Sequence, residues 1–284
     1  MSEQQEQFLA QGFIVLESGL DQSDMRLLEN SHKQLNERAS AILKQCSKDR
    51  ISFADFYREN ERELIVVPER DDAKSVCRYE YIKHCDSAMR EQLLPKLQRY
   101  IKELTGSDFV LFKDKCNAKN PGGGAFKPHQ DVIAYDKFKP NYHVTVAVFL
   151  DAATLENGCL HFPLDYRTSI GDVGAQLMKT PAGELAILPS VEGGSDHGNI
   201  LPAIEAKINW KAIIAEPGDI VLFDSYVPHF SHANLSDSKR RAMFFTFNAA
   251  ADGDYYEDYY AMKHQQFDNP TFHIATPTEH SQSM

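Results

Sequence analysis

The sequence predicts a mainly β fold, a sandwich or barrel with helices gathered at its N-terminal end. From Phe109 onward, short runs rich in Val, Ile, Phe and Thr recur at Phe109 to Phe112, Tyr142 to Leu150, Gly183 to Leu188, Trp210 to Ile214, Asp219 to Phe223 and Arg241 to Phe247. Breaks containing Gly or Pro, at Asn120 to Gly124, Glu192 to Gly198 and Glu216 to Gly218, separate several of them. Ahead of these runs, apolar residues recur at helical rather than alternating spacing. A chain of 284 residues can bury one large core or two small ones; with no internal repeat and no low-complexity linker, one domain is the economical reading.

The elements follow in order. Phe8 and Phe13 to Leu16 read as a short helix and then a strand. Asp21 and Ser23 are helix caps for a segment whose apolar positions Met25, Leu28, Leu35, Ala39 and Ile42 keep roughly helical spacing. A second helix is expected between Asp86 and Leu104, with Met89, Leu93, Leu97 and Ile101 on one face and a kink or late start at Pro95, whose ring cannot sit inside a regular helix. Evenly spaced strands then suit a closed or double-sheet β architecture. The tail from Asp252 is rich in Tyr and Asp; a helix around Tyr255 to Lys263 and fraying from Thr276 are expected.

Composition excludes several classes. A mean hydropathy of −0.44 and the absence of a long apolar run exclude a membrane span. Asp and Glu number 41 against 30 Lys and Arg, a formal charge of −11, so binding to nucleic acid or an anionic membrane would work against general repulsion. A small ligand is expected instead, with a local basic pocket still allowed. Five cysteines, Cys46, Cys77, Cys85, Cys116 and Cys159, form no CxxC pair and suit free thiols in a reducing compartment. The N-terminus carries no basic and apolar leader pattern, so the cytoplasm is the expected location.

The chemistry concentrates in His129-Gln130-Asp131 and a later His229. Residues i and i+2 of an extended segment point the same way, so His129 and Asp131 can face one metal, and His229 from a later strand completes a triad. Two imidazoles and a carboxylate on one face leave coordination positions open, as Fe(II) needs when it holds a co-substrate and oxygen together. His232, three residues beyond His229, competes for the third position, and a zinc hydrolase could use the same ligand types.

The surroundings of His229 narrow the choice. Gly218-Asp219 opens a strand, and His229, Ser231, Asn234, Ser236, Arg240 and Arg241 stand in the pattern HxSxxNxSxxxRR. This segment resembles the phytanoyl-CoA dioxygenase superfamily of Fe(II)/2-oxoglutarate oxygenases, as do the opening FLAQGFIVLESGL, the HQD element and Asn157-Gly158-Cys159-Leu160. The resemblance spans nearly the whole chain. It implies a double-stranded β-helix of the jelly-roll, cupin-like kind, in a single oxygenase domain over residues 1–284. Residues 1–105 would form a mostly helical part, 106–250 the β core and 251–284 a C-terminal tail. His129, Asp131 and His229 would be iron ligands. Arg240 would pair with the distal carboxylate of 2-oxoglutarate, a planar anion that a guanidinium fork suits, and Ser231 would help hold it. Arg241 would face the other way in a solvated or structural role. Family halogenases carry Gly or Ala in place of the metal-binding carboxylate, so Asp131 favours hydroxylation. His161-Phe162-Pro163 departs from the PGSH-like continuation of many members.

A second cluster, Lys113, Lys115, Asn117 and Lys119, alternates along one predicted strand face. That face either lines the barrel interior or is a solvated outer surface. The arrangement from Leu111 through Gly124 to the HQD element resembles the small-substrate bacterial branch that includes 2-aminoethylphosphonate hydroxylases, which implies that these four side chains bind substrate or 2-oxoglutarate. Gly122 to Gly124 lacks the GK[ST] ending of a phosphate loop and reads as a flexible turn or lid. Arg78 and Glu80 could reach the substrate from the N-terminal half, a surface ion pair being the favoured reading; Tyr135 and Tyr142 could shape the pocket, core packing being favoured.

The implied activity is hydroxylation of a C–H bond with Fe(II), 2-oxoglutarate and O2, on a small anionic or zwitterionic substrate such as 2-aminoethylphosphonate or a related aminoalkylphosphonate, at the carbon next to phosphorus. No protein residue beyond the metal centre is required for the chemical step. Tailoring of a natural product, amino acid or acyl thioester by the same chemistry is the competing enzyme reading. A metal-binding β-barrel without turnover is a different class, against which the co-substrate anchor Arg240 argues. No nucleic-acid or membrane partner is expected, and a homo-oligomer is compatible with the sequence.

Overall fold

The computed structural model describes residues 1–69, 72–164, 167, 173–194 and 196–269. Its elements run α1 (Glu3–Gln11), β1 (Phe13–Leu16), α2 (Gln22–Asp49), α3 (Phe53–Glu59), β2 (Ile65–Pro68), β3 (Val76–Glu80), α4 (Ile82–Cys85) and α5 (Leu94–Thr105). The β-rich part follows with β4 (Phe109–Lys119), β5 (Phe126–His129), β6 (His143–Phe149), β7 (Leu160–Pro163), β8 (Gln176–Thr180) and β9 (Gly183–Ile187). The short helix α6 (Pro202–Glu205) leads to β10 (Trp210–Ile213), β11 (Ile220–Asp224), β12 (His229–Ser231), β13 (Arg240–Ala249) and α7 (Tyr256–Gln265).

The helices begin where the sequence supplies caps. Asp21 accepts hydrogen bonds from the amides of Ser23 and Asp24, the Asp24 carboxylate accepts one from the Asp21 amide, and 28 residues of α2 follow. Pro95 sits in the first turn of α5, where its missing N–H costs nothing, and the residues before it, Met89–Leu93, wind as a π-helical turn. Pro95 thus marks a late start.

All strand pairings are antiparallel. Seven strands form one sheet in the order β1-β11-β6-β13-β4-β3-β2, and four form a second in the order β10-β7-β12-β5; β8 and β9 make a separate ribbon. Alternation explains how the larger sheet is sandwiched. Val144, Val146 and Val148 of β6 and Met243, Phe245 and Phe247 of β13 join the core beneath the helices. Their neighbours Ala147, Phe149, Ala242 and Phe244 pack with Leu160, Phe162 and Ile213 of the smaller sheet. Because β6 is covered on both faces, all seven of its residues are buried, the polar His143 and Thr145 included. The result is a double-stranded β-helix, a jelly roll with helices on one side.

Residues 1–105 are helical in bulk, with the expected strand β1 at Phe13–Leu16; β2 and β3, which the sequence pattern does not mark, join the larger sheet at its other edge. After residue 250 the expected helix is α7: Tyr256, Tyr259, Tyr260, Lys263 and His264 are buried, and the Tyr256 and Tyr260 hydroxyls donate to the buried Asp114 carboxylate on β4. The expected fraying from Thr276 lies outside the described residues.

Candidate active site

Both predicted histidines sit at the ends of short paired strands. His129 closes β5, His229 opens β12, and the two face each other directly in the antiparallel register, with ring centroids 4.3 Å apart. Gln130 keeps an extended backbone (φ −118°, ψ 129°), so Asp131 projects on the same side as His129 before the chain turns into a 3-10 helix at Asp131–Tyr135. One ligand atom from each of His129, Asp131 and His229 lies within 4.8 Å of the others, and all three side chains are buried. His232 is exposed and packs its ring against His161 and Phe230, away from this cluster.

The cluster is prepared for a cation. The His129 Nδ1–H donates to the Lys127 carbonyl (2.7 Å) and the His229 Nδ1–H to that of Val227 (3.1 Å). This fixes the tautomer and leaves each Nε2 lone pair for a metal. Burial, then the neighbouring His229, push His129 down to about 3, so it is neutral at physiological pH. Burial pushes Asp131 up, but His229, Lys115, His129 and Lys113 outweigh it and hold the carboxyl well below the usual range. Two neutral imidazoles and one carboxylate are the donor set of an open facial iron site, and the residues present fit that ion.

Several residues that hold this geometry carry no motif of their own. Gln130 points away from the ligands, fully buried. Its Nε2 donates to the carbonyls of Ala186 and Tyr226, and its Oε1 accepts from the Leu188 amide (2.7 Å). The Val132 amide donates to the Ser225 carbonyl (2.9 Å), closing the turn after Asp131 against the segment that enters β12. There, buried Asp224 accepts from the amides of Tyr226 and Val227 and pairs with Arg167, shaping the approach to His229. A buried carboxylate capping a turn two to five residues before a motif histidine is visible in the sequence only as one Asp among many.

The remaining motif residues divide between site and scaffold. Asn234 donates to the carbonyls of Lys119 and Ser238 and accepts from Ser236, folding the turn between β12 and β13. The Gly122 amide bonds the Asn234 carbonyl and the Asn234 amide bonds Gly123, so the glycine run expected as a flexible turn is tied to this turn. Gly158 has φ +78°, and a Cβ there would come within 2.2 Å of the His232 carbonyl oxygen. Arg241 faces outward to Asp151 and Glu29, with four hydrogen bonds from its side chain.

Arg240, one residue earlier on β13, faces inward. It is 1% exposed, and its Nε and Nη1 have no hydrogen-bond partner among the described residues. Burial lowers it to about 10, still charged at neutral pH. A buried cation without a protein anion is costly, so an anionic ligand would complete this site. Ser231 lies in the same cavity, its Oγ accepting from Lys119 Nζ (2.8 Å). The cavity is lined by the three candidate ligands together with Arg240, Ser231, Lys115 and Asn117.

The lysine row faces this interior, not solvent, but its members differ. A bulge at Phe112 resets β4 against β13, after which Lys113, Lys115, Asn117 and Lys119 oppose Thr246, Phe244, Ala242 and Arg240. Lys115 and Asn117 line the cavity. Lys113 is buried over the rings of Tyr135 and Tyr259. Lys119 is engaged with Ser231 and the His232 carbonyl, and burial, then Arg240, pull it down to about 6. Arg78 and Glu80, expected as a surface pair, are buried at 4% and 1% because β3 adds to the larger sheet beside β4. Tyr135 and Tyr142 lie in the core.

A jelly roll that brings two histidines and an aspartate together beside a buried arginine matches the arrangement that the family resemblance implies for these residues. The chain belongs to the phytanoyl-CoA dioxygenase (PhyH) family, whose model matches residues 8–242. It is 38% identical over 167 residues to the 2-aminoethylphosphonate dioxygenase of an uncultured bacterium, HF130_AEPn_1, covering 59% of this chain and 56% of the relative. It is 34% identical over 191 residues to the methylphosphonate hydroxylase of Gimesia maris, covering 67% and 65%. The aligned stretch thus spans between half and two thirds of these relatives' lengths. Among solved structures, EctD from S. alaskensis in its apoform matches with a TM-score of 0.64 at 17% identity, over 89% of this chain and 78% of that one. The non-heme alpha ketoglutarate dependent epimerase SnoN from nogalamycin biosynthesis matches at 0.59 and 16%, over 87% and 82%. At these identities the likeness concerns the fold. Among the described residues no helix is long and apolar enough to cross a membrane.

Proposed function

We propose that the chain hydroxylates a small organophosphonate, 2-aminoethylphosphonate or a related aminoalkylphosphonate, at the carbon next to phosphorus. One observation carries the reaction: a buried, unpaired Arg240 shares a cavity with the His129, Asp131 and His229 cluster. The names of two relatives, a 2-aminoethylphosphonate dioxygenase and a methylphosphonate hydroxylase, support the substrate class.

His129, Asp131 and His229 would hold Fe(II), and Arg240 with Ser231 would bind the distal carboxylate of 2-oxoglutarate. When bound, the iron supplies the oxygen chemistry that turns 2-oxoglutarate, O2 and a C–H bond into succinate, CO2 and a C–OH group. Lys119 donates to Ser231 and so orients its hydroxyl. Lys115, lowered to about 8 by burial and then by Lys113, is an ammonium opening into the cavity, suited to a phosphonate oxygen. Asn117 lines the wall between Lys115 and Arg240. The buried walls exclude water from the reacting centre. The substrate is anionic or zwitterionic in this reading, and unpaired thiols at Cys46, Cys77, Cys85, Cys116 and Cys159 suit the reducing cytoplasm.

The test is a succinate-release screen across aminophosphonates, betaines, amino acids and acyl thioesters, with products checked for one added oxygen. Turnover of aminophosphonates with a new hydroxyl next to phosphorus is expected. Turnover of another class alone would overturn the substrate, and survival of activity in Asp131→Ala would overturn the metal site.

A further inference from the structure

The register of β3 against β4 brings another pair of charged side chains to the cavity side of the larger sheet. Arg78 stands opposite Asn117 and Glu80 opposite Lys115, and cross-strand partners share a face. The Asn117 and Lys115 of these pairs line the cavity beside the metal cluster. Glu80 is held from one side only: its Oε1 accepts from Lys263 Nζ of α7 (2.7 Å) and lies 2.9 Å from Arg78 Nε, close enough for charge pairing but not aligned as a hydrogen bond. Four buried polar atoms of these two strands then have no hydrogen-bond partner among the described residues: Glu80 Oε2, Asn117 Oδ1, Arg78 Nε and Arg78 Nη2.

These unmet atoms carry both signs. Two are acceptors and two are donors of one guanidinium, and Lys115 adds an ammonium that no carboxylate pairs within the described residues. A purely anionic ligand would satisfy Arg78 and Lys115 but set its oxygens against Glu80 Oε2 and Asn117 Oδ1. A purely cationic one would do the reverse. Only a ligand with an acceptor-rich anion and a donor-rich cation a few bonds apart meets the whole set.

We propose that Arg78, Glu80, Lys115 and Asn117 form a zwitterion receptor: Arg78 and Lys115 take the anionic head, while Glu80 and Asn117 take the ammonium. Glu80 is then a specificity-determining residue that selects amino-substituted phosphonates over amine-free ones, and Lys263 is a positioning residue that holds its other oxygen. This rests on the phosphonate-hydroxylase reading above and goes beyond it in assigning the ammonium site.

The test compares 2-aminoethylphosphonate with propylphosphonate, which puts a methyl group where the ammonium stands, on the iron-loaded protein with 2-oxoglutarate. A site built to hydrogen-bond an ammonium rejects an analogue that lacks it, so kcat/KM should favour the amine by about 100-fold or more. Glu80→Gln should collapse that ratio toward unity, a change in selectivity that general loss of folding would not produce. A wild-type ratio within about 3-fold would mean that ordered water satisfies these atoms and would overturn the proposal, as would an unchanged ratio in Glu80→Gln. The wild-type comparison decides even if that variant fails to fold. If no phosphonate is turned over while another small acid is, the parent reading falls and this one with it; equal turnover overturns this one alone.

Discussion

Replacing Arg240 by methionine should separate co-substrate binding from folding. The side chain is 1% exposed, and two of its guanidinium nitrogens have no hydrogen-bond partner among the described residues. A bidentate pair with a carboxylate supplies two hydrogen bonds to a charged group, each worth about 1.5–3 kcal/mol, together about 3–6 kcal/mol. At about 1.4 kcal/mol per factor of ten, Arg240→Met should weaken 2-oxoglutarate binding by roughly 100-fold to 10,000-fold. The ligand-free protein should behave in the opposite sense. Exchanging an unmatched buried charge for an apolar chain of similar length is neutral or stabilising, by about 0–4 kcal/mol. Anaerobic titration of the Fe(II) protein with 2-oxoglutarate, followed by its visible charge-transfer absorption, gives the affinity; thermal melting with and without 2-oxoglutarate gives the stability. Binding within about 3-fold of wild type would refute the assignment of Arg240. A ligand-free protein that melts well below wild type would refute the view of Arg240 as an unmatched charge.

Two further predictions concern residues that hold the site. Gln130→Leu removes three buried hydrogen bonds to backbone around the HQD turn and should cost about 2–4 kcal/mol by urea unfolding. Because these bonds orient His129 and Asp131, iron affinity measured against a competing chelator should fall by about 10-fold to 100-fold, and unchanged affinity would remove Gln130 from the site's support. His143 is fully buried with neither ring nitrogen bonded among the described residues, and burial lowers it from 6.5 to about 3. Between those values the unfolded chain binds a proton that the folded one does not, so stability is lost as pH falls below about 6.5. His143→Phe should therefore gain on wild type by about 1.4 kcal/mol per pH unit from pH 6 to pH 4, measured by urea unfolding of the metal-free protein. Parallel stability curves would show that His143 titrates normally.

Different parts of the site were legible for different reasons. His129 and Asp131 converge because two residues of extended chain separate them, which is a local property. Arg240 and Arg241 part to opposite faces for the same reason: one enters the cavity, the other meets Asp151 and Glu29. Alternation also places Lys113, Lys115, Asn117 and Lys119 on one face, but it cannot say whether that face is wet. Nor can it say how each ammonium is engaged: Lys119 meets Ser231 on another strand, Lys113 lies over two aromatic rings, and Lys115 lies over Phe244 at the cavity. Arg78 and Glu80 were misplaced at the surface because burial of β3 depends on pairing with a strand more than thirty residues later.

Short-range periodicity in the sequence indicated the β architecture, and the family motif singled out His129, Asp131 and His229 and the inward Arg240, which the fold brings to one cavity. Tertiary structure alone decided that β1, β2 and β3 join the larger sheet and that α7 closes against β4. It also decided that Gln130 and Asp224 clamp the ligand turns and that Glu80, opposite Lys115, has one carboxylate oxygen without a hydrogen-bond partner among the described residues. These depend on which distant strands share a register and which side chains lose water together. Such long-range pairing and burial are set by the packing of the whole chain.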